Sequence, residues 1–407
     1  MNCAAERLVR IYSFSDLTLE SALLRGIQDL EYKEATPIQR MAIPPALEGH
    51  DILASAPTGS GKSAAFGLPV LQGLFGAPAE RTSALILAPT RELAQQITVT
   101  MRRLAKYTNI RIAPVYGGAG FGPQIEAFRR GAEVIVATPG RLIDLMQQGE
   151  ARLGDVRFLV LDEADRMLDM GFLPAVKRII AKLPTRRQTL FFTATLASNA
   201  ATLARELLDD PVRVNLAPSA TPVETVTQAV YAVEQHKKTD LLVDLLSGGE
   251  IFSALVFTRT KARAERLAGV LAKHNVKAER IHGDRSQAQR TRALDAFKKG
   301  KYRVLVATDV AARGIDILDL GHVINFDVPA EPADYIHRIG RTARAQKSGD
   351  AITFVSHDET ELFAQIERSM GKRVQRAEHP LVDQAIGNTL KAELKPVRRT
   401  FKARRRR

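Results

Sequence analysis

Short apolar runs closed off by turn-forming residues recur along this chain, and longer amphipathic stretches separate them. Runs of that kind suit strands buried on both faces, and their alternation with helical segments is the pattern of βαβ units in a parallel sheet. In the first half the predicted strands are Asp51–Ala54, Ala84–Ala88, Val134–Ala137, Phe158–Leu161 and Thr189–Phe192. In the second they are Ala254–Phe257, Lys277–Ile281, Val304–Ala307, His322–Phe326 and Ala351–Val355. Between the halves, the stretch from Asn215 to Val223 holds Pro218, Ser219, Thr221 and Pro222 with little apolar content, which predicts a linker over 215–224. The expected organisation is an α/β domain over 1–214, a second over 225–375, and a basic, disordered tail over 376–407.

Length agrees with this division, since 407 residues exceed one ordinary domain. A composition of 45% hydrophobic and 26% charged residues is that of a globular protein with a sizeable core. Charge narrows the partners: 59 Lys and Arg against 45 Asp and Glu leave +14, which favours a polyanion. The segment Met1 to Phe14 carries Glu6, Arg7 and Arg10 and lacks the apolar core of a secretory signal, so a cytoplasmic protein is expected. The longest uncharged stretch, Ser63 to Ala79, contains three glycines and two prolines and suits a buried crossover rather than a membrane span. A lone Cys3 excludes a disulfide framework and a thiolate metal site.

In parallel sheets ligands bind beyond the carboxyl ends of the strands, so polar motifs that follow the apolar runs carry functional weight. After the first run comes Ala56-Pro57-Thr58-Gly59-Ser60-Gly61-Lys62-Ser63, a Walker A loop with Ala56 in place of the usual first glycine. Its glycines let backbone N–H groups curl around phosphate oxygens. Lys62 reaches the terminal phosphates, and Ser63 is a candidate Mg²⁺ ligand. Further on, Phe158-Leu159-Val160-Leu161 delivers Asp162-Glu163-Ala164-Asp165. An Asp at a strand end holds Mg²⁺ in such ATPases, and Glu163 beside it is a candidate base for the attacking water.

At this point the sequence closely resembles the DEAD-box RNA helicases, over roughly Phe14 to Val355 and in the family's motif order. The stretch Val323-Ile324-Asn325-Phe326-Asp327-Val328-Pro329 looks most like the RhlE-like branch. The resemblance implies two tandem RecA-like domains and RNA-stimulated hydrolysis of ATP with Mg²⁺ that locally unwinds short duplexes or remodels ribonucleoprotein. Upstream, Tyr32-Lys33-Glu34-Ala35-Thr36-Pro37-Ile38-Gln39 is similar to the adenine-reading Q motif. It implies that Tyr32 stacks on the base, that Gln39 bonds its edge, and that Phe14 is the isolated upstream aromatic. Glu31 and Ala35 stand where the family usually has Gly and Pro.

Further motifs are carried over in the same way. Pro89-Thr90-Arg91, Gly117-Gly118 and Thr138-Pro139-Gly140-Arg141 resemble the first domain's RNA-contacting motifs, which grip phosphates and sugars. Thr258, Arg259, Gln287, Arg290 and Thr308 match those of the second domain. Asp165, Thr193, Thr195, His337 and Arg338 are implied to couple the ATP and RNA sites, and Asp316 to contact the nucleotide's ribose region. In His337-Arg338-Ile339-Gly340-Arg341-Thr342-Ala343-Arg344, Arg341 and Arg344 are implied to be arginine fingers on the γ-phosphate.

Aromatic content of 6% with no Trp favours sequence-independent backbone contact over base stacking. The basic run from Lys391 to Arg407 reads as an electrostatic tether for RNA. Ribosome-assembly or RNA-decay proteins are the expected partners, with no membrane. The alternative is an ATP-gated RNA clamp or scaffold that unwinds little. A DNA translocase is a third reading, which comparison of RNA and DNA stimulation separates.

Overall fold

Two parallel sheets organise the chain, each built by the same winding order. We describe them from a computed structural model, in residues 13–57, 59–76, 81–195, 198–216, 226–312, 320–342 and 349–392. The first sheet contains β1 (Ile52–Ser55), β2 (Ala84–Leu87), β3 (Ile112–Val115), β4 (Val134–Ala137), β5 (Phe158–Leu161), β6 (Gln188–Thr193) and β7 (Val212–Asn215) in the order β3-β4-β2-β5-β6-β1-β7. The second contains β8 (Val226–Ala232), β9 (Ala254–Thr258), β10 (Ala278–Ile281), β11 (Val304–Thr308), β12 (His322–Asn325), β13 (Gly349–Val355) and β14 (Gln375–Arg376) in the order β10-β11-β9-β12-β13-β8-β14. Raising each number of the first order by seven gives the second, so the two units share one topology. The described residues up to 216 form the first unit and those from 226 onward the second. Both match the tandem RecA-like arrangement.

Apolar runs become central strands because helices cover both faces of the sheet. In the first unit, Ile52, Ala54, Ile86 and Val160 pack on one side with the helices Ser21–Asp29, Pro37–Leu47, Lys62–Leu74 and Arg91–Leu104. Leu85, Leu87, Ile135 and Leu159 pack on the other with Pro139–Gln147, Ala164–Asp169, Leu173–Ile180 and Ser198–Leu207. Of the uncharged stretch singled out in the sequence, Ser63 to Leu74 lies in the buried helix Lys62–Leu74. Among the described residues no helix is long and apolar enough to cross a membrane.

Four strands escape the apolar-run criterion. β3, β7 and β14 lie at sheet edges and β8 beside one, where one face or edge meets solvent. β8 alternates buried and accessible positions, and β3 accommodates Pro114, which an edge strand tolerates.

Two sequence boundaries move. Asn215, expected in the linker, ends β7 paired with Ser55 of β1; the rest of 217–224 lies outside the described residues. The tail expected from 376 instead begins with folded structure. Arg376 closes β14 and pairs with the buried Glu367 at 2.7 Å, and the helix Gln384–Ala392 buries Ile386 and Leu390 against the second unit. Two apolar side chains at helical spacing were enough to dock it, so the second domain runs to at least Ala392. Residues 393–407, with the terminal arginines of the proposed tether, lie outside the described residues.

Candidate functional site

In the first unit the polar motifs gather at the carboxyl ends of β1, β2, β4, β5 and β6. Ala56 extends β1 by donating its N–H to Thr193 of β6 at 3.0 Å, and it is not among the residues of positive φ. A side chain at the first loop position therefore costs nothing here. The later loop glycines differ. Gly59 and Gly61 adopt φ of 81° and 97°, and a Cβ on Gly61 would sit 2.6 Å from Gln39 Nε2. That close approach demands glycine.

Gly61 is the N-cap of Lys62–Leu74 and supplies no side-chain cap, so the first-turn amides lack the partner a Ser or Asp would give them. Ser60 Oγ is buried without a hydrogen-bond partner. An orphaned hydroxyl beside an uncapped helix start in a glycine-rich loop fits phosphate oxygens. Lys62 is 6% exposed and donates to the Ala56 carbonyl at 2.9 Å, with two further donors on its ammonium. Ser63 is half-buried on the first turn and Thr58 lies outside the described residues.

Asp162 follows β5 at 2% exposure and accepts the Glu163 N–H at 3.0 Å. Burial pushes its carboxyl up to about 6, against the opposing pull of Lys62, while Glu163 and Asp165 push the same way as burial. Glu163 itself is 6% exposed, in left-handed backbone at φ 49°, and its carboxylate accepts from Arg166 at 2.7 Å. Asp165 turns the other way, accepting both the N–H and the hydroxyl of Thr195 at 2.8 and 2.9 Å. Thr193 Oγ1 donates to the Thr195 carbonyl at 2.7 Å. The ends of β5 and β6 are thus bonded into one unit. Ser63 and Asp162 offer a hydroxyl and a carboxylate, a donor set that suits Mg²⁺, which keeps waters and phosphate oxygens as its other ligands.

The Asp162 carboxyl makes a checkable stability claim. A group that binds its proton more tightly folded than unfolded adds stability below its unfolded value of 3.8 and loses it as pH rises through about 6. At neutral pH the metal-free protein carries the charge at a cost of up to about 3 kcal/mol. Asp162→Asn keeps an oxygen for the Glu163 N–H, so it is expected to raise the melting temperature of the metal-free chain at neutral pH. The gain should vanish near pH 4. An equal gain at both pH values, or none, would remove the charge explanation.

Phe14 and Tyr32 stack, with ring centroids 6.2 Å apart, Phe14 buried and Tyr32 37% exposed. The preceding Glu31 takes φ 55°, which accounts for the family's preference for Gly there. Gln39 accepts from the Thr36 N–H at 2.9 Å and donates to the Gly61 carbonyl at 3.1 Å. It therefore ties the Q-motif loop to the phosphate loop, a role the sequence reading missed. The amide keeps one more N–H and a second lone pair for an adenine edge.

The remaining first-unit motifs surround a single loop. Pro89 is buried, Thr90 caps Arg91–Leu104, and the Arg91 guanidinium lies against Gly118, whose φ is 77° and whose added Cβ would meet Nη1 at 2.4 Å. Arg141 donates to the Ala119 carbonyl at 2.9 Å and stacks 3.9 Å from the Phe121 ring centroid. Gln124 holds the carbonyls of Tyr116 and Gly120. Thr138 is half-buried and Gly140 is exposed. Arg141, read as an RNA contact, also braces the loop, and Phe121 and Gln124 were not anticipated.

In the second unit Thr258 and Thr308 are buried at the ends of β9 and β11. Arg290 donates to the Ala311 carbonyl at 3.2 Å; Gln287 begins its helix Gln287–Lys298. Arg338 is 2% exposed and grips Asp309 with two bonds of 2.6 and 2.7 Å, Asn325 at 3.1 Å and the Asp327 carbonyl at 2.7 Å. It locks the helix Pro332–Ile339, with His337 half-buried on it, to the strand ends. Arg341 follows that helix, half-buried. Asp316 and Arg344 lie outside the described residues. Asp309 and Asn325 went unread because their partner is distant in sequence.

Two family models match the chain, DEAD/DEAH box helicase over residues 36–203 and helicase conserved C-terminal domain over 237–346. The DEAD-box ATP-dependent RNA helicase CshA of Bacillus subtilis is 39% identical over 96% of this chain and 78% of its own length. CshA of Geobacillus kaustophilus is 41% identical over 92% and 80%. Among solved structures, S. cerevisiae Dbp5 bound to RNA and ADP BeF3 is similar at a TM-score of 0.81 and 31% identity, covering 94% of this chain and 100% of that one. Mss116p bound to ssRNA and AMP-PNP is similar at 0.79 and 29%, covering 94% and 82%.

Proposed function

This chain belongs to the DEAD-box RNA helicase family, and from that membership we propose an ATP-dependent RNA helicase that hydrolyses ATP when RNA is bound and locally unwinds short duplexes or remodels ribonucleoprotein. The observation that carries the reading is the bonded set at the β5 and β6 ends: Asp162, Glu163 and Asp165 to Thr195, with Lys62 opposing them.

The residues divide the work as follows. Phe14, Tyr32 and Gln39 receive the adenine, and the amides of Gly59 to Ser63 receive the phosphates. Lys62 meets the terminal phosphates. Ser63 and Asp162 would hold Mg²⁺, which when bound would neutralise developing phosphate charge. Glu163 orients the attacking water and takes its proton. RNA phosphates and sugars lie along Pro89, Thr90, Arg91, Gly118, Thr138, Gly140 and Arg141 in one domain and Thr258, Arg259, Gln287, Arg290 and Thr308 in the other. Asp165, Thr193, Thr195, His337 and Arg338 carry the coupling. Arg341 and Arg344 come to the γ-phosphate from the second domain, so hydrolysis waits for closure on RNA, and by reciprocity ATP tightens RNA.

We extend the proposal to a cytoplasmic protein working with ribosome-assembly or RNA-decay proteins. Placement in the RhlE-like branch rests on Val323 to Pro329, while the relatives named above are CshA.

The test is steady-state ATPase with no nucleic acid, with single-stranded RNA and with DNA of the same sequence. Stimulation by RNA and not by DNA is expected. Turnover independent of RNA, or equal stimulation by DNA, would sink the reading.

A further inference from the structure

At the carboxyl ends of β9, β12 and β13 the second unit buries a set of charges centred on Lys238 and Glu359, neither of which belongs to a motif quoted above. Lys238 is fully buried at the start of the helix Lys238–Ser247. Its ammonium donates to the carbonyls of Phe326 at 2.9 Å and Phe354 at 3.2 Å and to the Glu359 carboxylate at 2.5 Å, which uses all three protons. Glu359 also accepts from the hydroxyl of Ser356 at 2.9 Å and the N–H of Val328 at 3.2 Å. The oxygen that takes the Val328 N–H, Oε1, also takes the Arg259 guanidinium at 2.7 Å, while Lys238 and Ser356 are on Oε2. Asp327, fully buried, accepts the Arg259 N–H at 2.8 Å and pairs with Arg263.

Ion pairs like Lys238–Glu359 are poor sources of stability, because desolvating two charges offsets most of their attraction. Burial does push the Lys238 ammonium down, with Glu359 resisting. The arrangement makes physical sense as a fixture for what it holds. Arg259 has its backbone and one edge of its guanidinium clamped by the two carboxylates, while its side chain stays 47% exposed. Three cations face two carboxylates, so Lys238, Arg259 and Arg263 leave one positive charge over, at the sheet end where ligands of parallel sheets bind.

We propose that Glu359, itself braced by Lys238, is a positioning residue that presents the Arg259 guanidinium to an RNA phosphate. The inference rests on the reading of Arg259 as an RNA contact. An arginine held by one edge offers its remaining donors in a fixed fork and gives up little side-chain freedom on binding. Glu359→Gln removes the charge that orients it and keeps the shape.

The test is a double-mutant cycle in the full chain with single-stranded oligouridylate, reading the RNA concentration for half-maximal ATPase and the rate at saturating RNA. Glu359→Gln and Arg259→Ala are each expected to raise the half-saturating concentration about tenfold and to add nothing to one another, and Glu359→Gln to leave the saturated rate within about twofold. If Glu359→Gln does not fold, Lys238→Met with Glu359→Gln removes the buried pair together and should show the same loss. No effect of Arg259→Ala overturns the RNA reading of Arg259 and the inference with it. An effect of Arg259→Ala that Glu359→Gln fails to reproduce, or to which it adds in full, overturns the positioning role and leaves the RNA contact standing.

Discussion

Glu163→Gln is expected to slow RNA-stimulated ATP hydrolysis by about 10²–10⁴-fold, the usual contribution of a positioned general base. The substitution keeps the size of the side chain and an oxygen for the Arg166 guanidinium, now 2.7 Å from the carboxylate, so local geometry should survive. What it removes is the capacity to take a proton from water. Nucleotide affinity depends on Lys62, the loop amides and the Q-motif residues, which the substitution leaves in place, and it should change less than about threefold. RNA affinity in the presence of ATP should rise, because a state that cannot hydrolyse is not reset. Single-turnover hydrolysis with a fluorescent-nucleotide titration checks both halves. A variant retaining a tenth or more of the wild-type rate would take the base role away from Glu163.

The place of Glu163 was legible from the sequence because the motif is local: an acidic string directly after an apolar run puts its first members at a strand end. The same logic found the phosphate loop and ten strands, most of them apolar along their length. It failed at β3, where Pro114 interrupts an apolar run, at β7, β8 and β14, where burial is partial, and where two hydrophobic residues, Ile386 and Leu390, dock a helix inside a stretch that reads as basic tail. It also failed for side chains whose job is to hold other side chains. Gln39 was read as a base contact, and its bond to Gly61 spans 22 positions. Lys238 and Glu359 meet across 121 positions. Nothing in either neighbourhood announces the partner, because the fold alone brings them together. Arg166 is intermediate: it lies three residues from Glu163 on one helical turn, and i,i+3 spacing of opposite charges was a signal available to read.

Arg341→Ala is expected to cost more than any other single change outside the phosphate loop, about 10³–10⁵-fold in the RNA-stimulated rate. The chemistry leaves little covalent work for the protein, and the phosphoryl oxygens gather charge that a guanidinium neutralises with two parallel donors. Arg341→Lys should recover little of the loss, since an ammonium is a point charge without the fork. Two features of the second unit make Arg341 suited to such a task. Its neighbour Arg338 anchors the helix Pro332–Ile339 through Asp309, Asn325 and the Asp327 carbonyl, so the residue follows a rigid element. Asp309 directly follows Thr308, a proposed RNA contact, so the same anchor reports on RNA. The loss should therefore fall on the saturated rate and leave the half-saturating RNA concentration within about threefold, the reverse of the split expected for Glu359→Gln. Arg341→Ala within tenfold of wild type at saturating RNA and ATP would mean that the charge on the γ-phosphate is met from the first domain alone, and that closure is not what gates hydrolysis.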